Sequence, residues 1–460
     1  MRTFFHRLQE PFPIAPLVVF RLVFGAMMLV STVRFVWNGW VETQYLQPRF
    51  FFPFYGFAWV KPLPATGMYL VFGGMALAAV GMLLGWRYRL SSVAFFLLFT
   101  YTELIDKTNY LNHYYFVSLV SFLMIWLPAH RAFSLDVVRN PQLRRTHVPR
   151  WTVALLQLQL GLVYCYAGIA KLNRDWLFEA LPLKIWLPVH MDFPVIGPLF
   201  RYGWVAFAFS WFGALYDLTV PFFLLFRRTR LWAYGAVIAF HVLTWLLFPI
   251  GMFPFIMIGM TLIFFSPRFH QLLLANLRRL GVRLRLVGQR PAGYLPRLYR
   301  PRATGALALM LGVYVVIQLL LPWRYLLYPG DLFWTEEGYR FSWRVMLMEK
   351  AGYVTFHITD PATGHVSEVY ASDYLTPQQE KMMATQPDMM LQFAHFLHDE
   401  FQKRGIADPQ VRAEAYVTLN GQGSRLFLDP TVDLAQERES FRHKRWILPY
   451  QATPHLSAHE

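Results

Sequence analysis

The 460-residue chain is poor in cysteine and in charge. Its only cysteine is Cys165, so an intramolecular disulfide is impossible and zinc sites built from cysteine pairs are excluded. The sequence also has no N-glycosylation acceptor and no HxH or HExxH motif, and it therefore predicts no metal site. Charged residues make up only 15%, whereas hydrophobic residues make up 56% and the mean hydropathy is +0.32. These values and the repeated apolar runs predict a polytopic membrane protein rather than a soluble one.

Acidic residues are scarce in the first two thirds of the chain. The first 321 residues carry 30 basic and 9 acidic side chains, whereas the remaining residues carry 13 and 18. A basic balance can indicate nucleic-acid binding, but cytoplasmic loops of membrane proteins are basic by default. We therefore expect membrane lipid, and no nucleic acid, as a partner.

The apolar runs predict an all-α polytopic membrane domain at 1–321 with about nine transmembrane helices. A small extracytoplasmic α+β domain is predicted to follow at 322–460. A bilayer-spanning helix needs about 20 mainly apolar residues, and several runs reach that length. The predicted spans lie at about 15–37, 66–86, 91–105, 114–127, 151–170, 202–226, 231–247, 251–265 and 304–321.

The arginine clusters of the membrane domain predict its orientation. With the N-terminus in the cytoplasm, all of them fall on the cytoplasmic side, as the positive-inside rule requires. These clusters lie at 87–89, 131–150, 227–230 and 268–302. The links 38–65, 106–113 and 171–198 and the tail then lie outside. We expect the bacterial inner membrane, or the endoplasmic reticulum membrane if the protein is eukaryotic.

The tail shows strand and helix patterns that are typical of a small α+β domain. Residues 353–359 and 365–371 alternate like paired strands around a turn at 360–364. Residues 376–404 have helical periodicity, with Thr376 as the expected N-cap and Pro377 at the first position. Residues 411–419 and 424–428 predict a second hairpin.

Lys171 is the main candidate for a functional residue, because it ends the apolar run 151–170. On a helix it shares a face with Gly168, Ala167 and Tyr164, and the two small residues allow a neighbouring helix to approach closely. Two interpretations remain open here. Lys171 either extends to the membrane surface or faces a protein cavity.

Polar residues in the 106–113 link are expected on the same outer side as Lys171. Asn109, Asn112 and His113 follow Asp106 and Lys107 in this link. A solvated loop that caps the next helix is the alternative interpretation.

His241 and Asp217 lie inside predicted spans, where burial is costly and a function is the default hypothesis. His241 is expected either to act at a site or to bond a neighbouring helix. For Asp217 we expect a structural ion pair with Arg21 or Arg34.

Five stretches occur in an order that identifies a family. They are DKTNYLNHYYF (106–116), AGIAKLNRDW (167–176), FHVLTWLLFPIGMFPFIM (240–257), YRFSWRVML (339–347) and LFLDPTVDL (426–434). Together they resemble the vitamin K-dependent γ-glutamyl carboxylases and their bacterial relatives with the HTTM membrane domain. The resemblance spans nearly the whole chain.

The resemblance implies a reaction and roles for individual residues. It implies that Lys171 is the catalytic base on reduced vitamin K (the hydroquinone). It also implies that His113 and Asn112 are catalytic. His241 corresponds to the histidine of the family's F-H pair. His241, Tyr164 and Trp176 are then expected to bind the quinol. With O₂ the quinol becomes an epoxide and supplies a base strong enough to remove a glutamate γ-proton, and CO₂ adds to the resulting carbanion. The implied partner is a glutamate-containing peptide or protein.

Two departures from the animal members leave the protein substrate open. Ala170 stands where they have a second lysine, and they extend further at the C-terminus, in a region that helps to hold substrates. Two alternative functions therefore remain: a quinone epoxidase of the same fold without protein carboxylation, and a transporter or lipid-binding scaffold. In the last case Lys171 would only hold an anionic ligand.

Overall fold

The computed structural model describes residues 2–283, 298–299 and 304–451, and helices dominate these residues. Part of the predicted basic stretch at 268–302 and the last residues of the tail lie outside this description. The helices are α1 Arg2–Gln9, α2 Ala15–Trp37, α3 Ala65–Leu84, α4 Tyr88–Ile105, α5 Asn112–Trp126, α6 Leu135–Arg139, α7 Trp151–Ala170, α8 Arg174–Phe178, α9 Leu183–Trp186, α10 Gly203–Leu225, α11 Arg230–Leu247, α12 Phe253–Thr261, α13 Pro267–Arg283, α14 Thr304–Leu320, α15 Leu332–Thr335, α16 Pro377–Met383 and α17 Pro387–Lys403.

Helices occur at all nine predicted positions, but the count of nine spans is not confirmed. Within the described residues, six helices are long and apolar enough to cross a membrane: α2, α3, α7, α10, α11 and the segment Gly305–Leu327. A seventh span results if α12 with its 3₁₀ continuation is joined to α13, although the pair is bent by 116°. The helix α5 has only 15 residues, which is short for a hydrocarbon core of about 30 Å.

Glycines allow close packing between neighbouring membrane helices. A Cβ atom built on Gly168 of α7 would lie 2.8 Å from the backbone nitrogen of Leu218 in α10. A Cβ atom on Gly25 of α2 would lie 2.7 Å from the backbone of Leu83 in α3. The expectation that small residues beside Lys171 admit a neighbouring helix is therefore confirmed, and that neighbour is α10.

The N-terminal segment and the loop before α7 meet at one end of the helices. The strand β1 (Pro11–Pro13) pairs antiparallel with β2 (His147–Pro149) there. This arrangement agrees with the prediction that both segments lie on one side of the membrane. That this side is cytoplasmic stays a prediction.

The tail contains a four-stranded antiparallel sheet in the order β4–β3–β5–β6. Its strands are β3 Lys350–Thr359, β4 Val366–Val369, β5 Gln410–Leu419 and β6 Arg425–Leu426. Both predicted hairpins are confirmed, and the long pairing of β3 with β5 joins them into one sheet. The helix α17 packs on this sheet, with Phe393 5.1 Å from Phe356 between ring centroids.

The single helix predicted at 376–404 is wrong in one respect, because the structure has two helices there. Thr376 caps α16 as expected, through a capping box with Gln379. The break falls before Pro387, which begins α17. Proline lacks the N–H for a helical hydrogen bond and disfavours helical geometry in the preceding residue, Gln386, whose φ is −120°.

The tail docks onto the 106–113 link through a charged cluster, which we call the docking clamp: Lys107, Arg340 and Asp388. Lys107 Nζ lies 2.7 Å and Arg340 Nη1 lies 2.8 Å from Asp388 Oδ2. Gln379 Nε2 donates to Asp106 Oδ2 over 2.8 Å in the same interface. Asp106 and Lys107 are only 1% and 4% exposed, so the solvated-loop interpretation does not hold for them.

Candidate functional site

Lys171 lies directly after the last residue of α7 and faces protein. Its Nζ lies 2.7 Å from Asp217 Oδ2 in α10 and donates to the carbonyl of Ala167 over 3.3 Å. Both Lys171 and Asp217 are 5% exposed. A lysine that extended to the membrane surface would be exposed at its tip, so the structure favours the cavity interpretation.

The expected partner of Asp217 is therefore wrong: it pairs with Lys171, and not with Arg21 or Arg34. Arg21 Nη2 donates instead to the carbonyl of Phe133 over 2.5 Å. The guanidinium of Arg34 lies 4.8 Å from the centroid of the Trp40 ring. The physical reason is helix adjacency, since the close packing of α7 on α10 brings the two residues together.

A cavity of about 110 Å³ opens beside the Lys171–Asp217 pair, and we call it the lysine cavity. Tyr164, Trp176 and His241, the residues that the family resemblance implies as quinol-binding, all line it, and their binding role stays a prediction. The remaining wall is mainly aromatic and aliphatic, and it includes Trp186, Phe209, Phe240, Phe248, Ile250, Phe253 and Met257. The result is an apolar space with one buried ion pair at its edge.

His241 bonds a neighbouring helix, which is one of the two interpretations that the sequence left open, and its action at a site stays a prediction. It is 2% exposed, and its Nε2 lies 3.2 Å from the hydroxyl of Tyr164 on α7. It is thus bonded to a neighbouring helix. Its Nδ1, however, is buried and has no hydrogen-bond partner among the described residues. A buried unpaired polar atom costs about 1–3 kcal/mol, so a ligand with a hydroxyl edge would fit this wall.

Trp176 is held in place by the turn that follows Lys171. Asn173 caps α8 by accepting a hydrogen bond of 2.9 Å from the Trp176 backbone. The indole Nε1 of Trp176 donates to the carbonyl of Ser210 over 2.8 Å. The ring centroid then lies 5.3 Å from Lys171 Nζ. The sequence KLNRDW thus places a lysine and an aromatic ring side by side.

His113 and Asn112 lie behind the cavity wall rather than in it. The ring of Phe253 stands between the two histidines, with its centroid 5.6 Å from that of His113 and 5.8 Å from that of His241. Asn112 Nδ2 donates to the carbonyl of Arg344 over 2.9 Å. The catalytic roles of His113 and Asn112 stay predictions, and their positions suit a supporting role.

The segment 341–346 contributes wall residues that the sequence analysis did not assign. Val345 and Met346 line the lysine cavity. Phe341, Trp343 and Met346 all have positive φ values, which is costly for residues other than glycine and is often found at functional sites. The family motif YRFSWRVML was the sequence signal that could have pointed to this segment. The positive φ values, however, cannot be predicted from the identity of these residues.

The lining of the lysine cavity is mainly aromatic and aliphatic, and Lys171, Asp217 and His241 are ionisable side chains in it. Aromatic side chains can stack on a ring, while Lys171 and His241 are polar residues of the wall that can meet hydroxyl groups at the edge of such a ring. Within the described residues, no group of three or more His, Cys, Asp or Glu side chains is arranged to hold a metal ion.

The fold and this cavity define a helical membrane protein that carries a buried lysine–aspartate pair. The family model of the HTTM domain matches residues 9–269, more than half of the chain. The model of the vitamin K-dependent gamma-carboxylase lumenal domain matches residues 304–453. The chain therefore belongs to the vitamin K-dependent γ-carboxylase family. No solved structure matches it.

Proposed function

We propose that this protein is a membrane-bound vitamin K-dependent γ-glutamyl carboxylase. It oxidises reduced vitamin K with O₂ to the epoxide and carboxylates glutamate side chains with CO₂. The observation that carries the proposal is the buried Lys171–Asp217 pair at the edge of an apolar cavity, in a chain of this family.

The lysine cavity is the proposed quinol site. Trp176 and the aromatic wall would contact the ring, and the free Nδ1 of His241 would bond a hydroxyl group. The Tyr164 contact fixes the orientation of the imidazole. Bound reduced vitamin K would supply, with O₂, the strong base for glutamate, whose γ-hydrogen is too weak an acid for any side-chain base.

Lys171 is the proposed proton acceptor, and Asp217 is its positioning partner. An amine accepts a proton only when it is neutral, so the pair must hold its shared proton on Asp217. The contact of 2.7 Å is short enough for that transfer.

The cavity wall also protects the reaction from water. The residues around Lys171 are mainly apolar or aromatic, and Val345 and Met346 of the tail also line the cavity. Exclusion of water prevents a strong base or a carbanion from being quenched by solvent protons.

Two assays on the purified protein test this proposal. The first measures epoxide formation from the hydroquinone and O₂, and the second measures ¹⁴CO₂ incorporation into a glutamate peptide. Both activities are expected, and both should persist in Lys184→Ala, because Lys184 is an exposed lysine near an aromatic ring outside the cavity wall. Epoxide without ¹⁴C incorporation would favour the epoxidase alternative. Neither product would favour the transporter or scaffold alternative.

A further inference from the structure

The helix α13 turns sharply away from the helix before it. It is bent by 116° from α12 and the 3₁₀ turn that continues α12. Ser266 accepts a hydrogen bond of 3.3 Å from the backbone of Phe269, and Pro267 is the first helical residue, so the sequence starts a new helix here. The buried His270 holds the corner, because its ring nitrogens lie 2.9 Å and 3.0 Å from the carbonyl oxygens of Ser266 and Leu262. The bend is therefore built into the fold.

This corner lies at the end of the helices that is opposite to Lys171. Gln157, in the second turn of α7, donates to the carbonyl of Ile263 over 3.0 Å, whereas Lys171 follows the last residue of α7. The helix α13 itself packs against α2. It is therefore remote from the lysine cavity, on the side that the arginine clusters predict to be cytoplasmic.

One face of α13 is apolar and largely uncovered, and we call it the leucine face: Phe269, Leu272, Leu277 and Leu280. These four side chains are 36%, 58%, 41% and 54% exposed. With 3.6 residues per turn, their spacing places them on one broad side of the helix. Leu274 points elsewhere and packs against the hydrophobic core. The fold thus covers one side of α13 and leaves the leucine face for another partner.

The leucine face continues the lipid-facing side of α11. The centroid of the Phe269 ring lies 4.8 Å from that of Phe265, which lies 5.0 Å from that of Tyr234 in α11. Leu231 and Trp232, in the first turn of α11, are 72% and 82% exposed. Tryptophan near the end of a membrane span is typical of the membrane–water interface. These contacts place α13 at the level of the lipid headgroups.

The edge of the leucine face is cationic. Arg268 and Arg279 are exposed, and they lie four and seven positions from Leu272, on the same side of the helix. No acidic residue occurs between Asp217 and Asp331, so this part of the chain has no carboxylate to offer them. Leucine side chains favour acyl chains, and arginine side chains can extend from that level to lipid phosphates. Nucleic acid would suit the arginines but would leave the leucine face uncovered.

We propose that α13 is an interfacial helix that binds anionic lipid. The leucine face contacts the acyl chains, and Arg268 and Arg279 contact the phosphates of headgroups in the leaflet at this end of the protein. One arginine beside an anionic surface should favour an anionic over a neutral lipid by about fivefold. The proposal does not depend on the proposed function, because it involves neither Lys171 nor a quinol.

Fluorescence of the full chain in lipid nanodiscs tests the position of α13. In a Cys165→Ala background, which removes the only native cysteine, an environment-sensitive dye is attached to Leu272→Cys. The comparison is Gln271→Cys, because the neighbouring Gln271 is exposed and lies off the leucine face. The dye at 272 should emit at a shorter wavelength and be quenched by lipids brominated on their acyl chains. The dye at 271 should behave as it does in water.

The same dye at 272 measures the choice of lipid, through quenching by brominated phosphatidylglycerol and by brominated phosphatidylcholine. Unchanged α13 should prefer phosphatidylglycerol by about fivefold to twenty-five-fold, and Arg268→Gln combined with Arg279→Gln should lose most of this preference. The matched control, Arg139→Gln combined with Arg404→Gln, removes the same charge from exposed arginines outside α13 and should keep the preference. Without any arginine substitution, the preference should also fall as NaCl rises from about 0.05 M to about 0.5 M, because salt screens exposed charges.

A water-like dye at 272, or equal quenching by the two lipids, would overturn the proposal. A dye that emits at a shorter wavelength but is not quenched by brominated lipid would show that protein, such as a second copy of the chain, covers the leucine face. That result would overturn the proposal as well. None of these measurements involves epoxide formation, so they stand or fall separately from the proposed function.

Discussion

The docking clamp makes a strong prediction, because Asp388 is shared by two cations. Asp388→Asn would remove the one carboxylate that, among the described residues, contacts Lys107, which is 4% exposed, and Arg340 directly. Removal of one partner from a buried ion pair costs about 3–5 kcal/mol. The Asp388 side chain is 35% exposed, so solvent offsets part of this loss, and we expect about 2–3 kcal/mol.

The expected loss should be constant between pH 6 and pH 8. Burial raises the pKa of Asp388, but Arg340 and Lys107 lower it by more, so the pKa lies well below its ordinary value. The stabilisation is therefore fully present above about pH 4, near the pKa of an unfolded aspartate, and is lost only at lower pH.

Thermal unfolding of the purified protein in detergent, followed by tryptophan fluorescence, measures this effect. Asp388→Asn should lower the melting temperature, and limited proteolysis should release the tail more readily. The control Arg404→Gln breaks an exposed pair with Glu400 and should change stability by less than about 1 kcal/mol. If the Asp388→Asn protein is as stable as this control, the docking clamp does not contribute to the stability of the folded protein, and the prediction is refuted.

Three other changes test the site and the topology. Lys171→Ala and Asp217→Asn should each destabilise the protein, and the double variant should lose less than the sum of the two in the same thermal assay, because residues in contact are coupled. His241→Phe should raise the apparent KM for the hydroquinone by about tenfold, the effect of about one lost hydrogen bond, and an unchanged KM would remove His241 from the quinol site. A reporter fused after Glu460 should be active only outside the cytoplasm, as the distribution of arginines predicts, and cytoplasmic activity would reverse the proposed orientation.

The sequence predicted features that depend on local pattern. The bounds of α7 and the close approach of a neighbouring helix beside Lys171 follow from one apolar run and from small residues spaced along one helix face. The two hairpins of the tail follow from alternation and turn residues. These properties arise within a few residues of chain, where pattern and structure are closely linked.

Local sequence pattern did not predict the contacts between segments that are distant in the chain. The Lys171–Asp217 pair requires α7 to pack on α10, and the hydropathy of either helix does not reveal its neighbour. Asp106 and Lys107 look like solvated loop residues until the tail covers them. The strands β3 and β5 also pair, although α16 and α17 lie between them in the chain. Helix adjacency and domain docking are set by packing of the whole molecule.

The central claim is that Lys171 accepts the proton that starts quinol oxidation. The most direct measurement is epoxide formation by Lys171→Ala in protein that keeps Asp217, with and without a small primary amine. We expect no epoxide without the amine, partial recovery with it, and no recovery in Lys171→Arg, because a guanidinium stays protonated. Epoxide formation near the wild-type rate without added amine would contradict the role of Lys171.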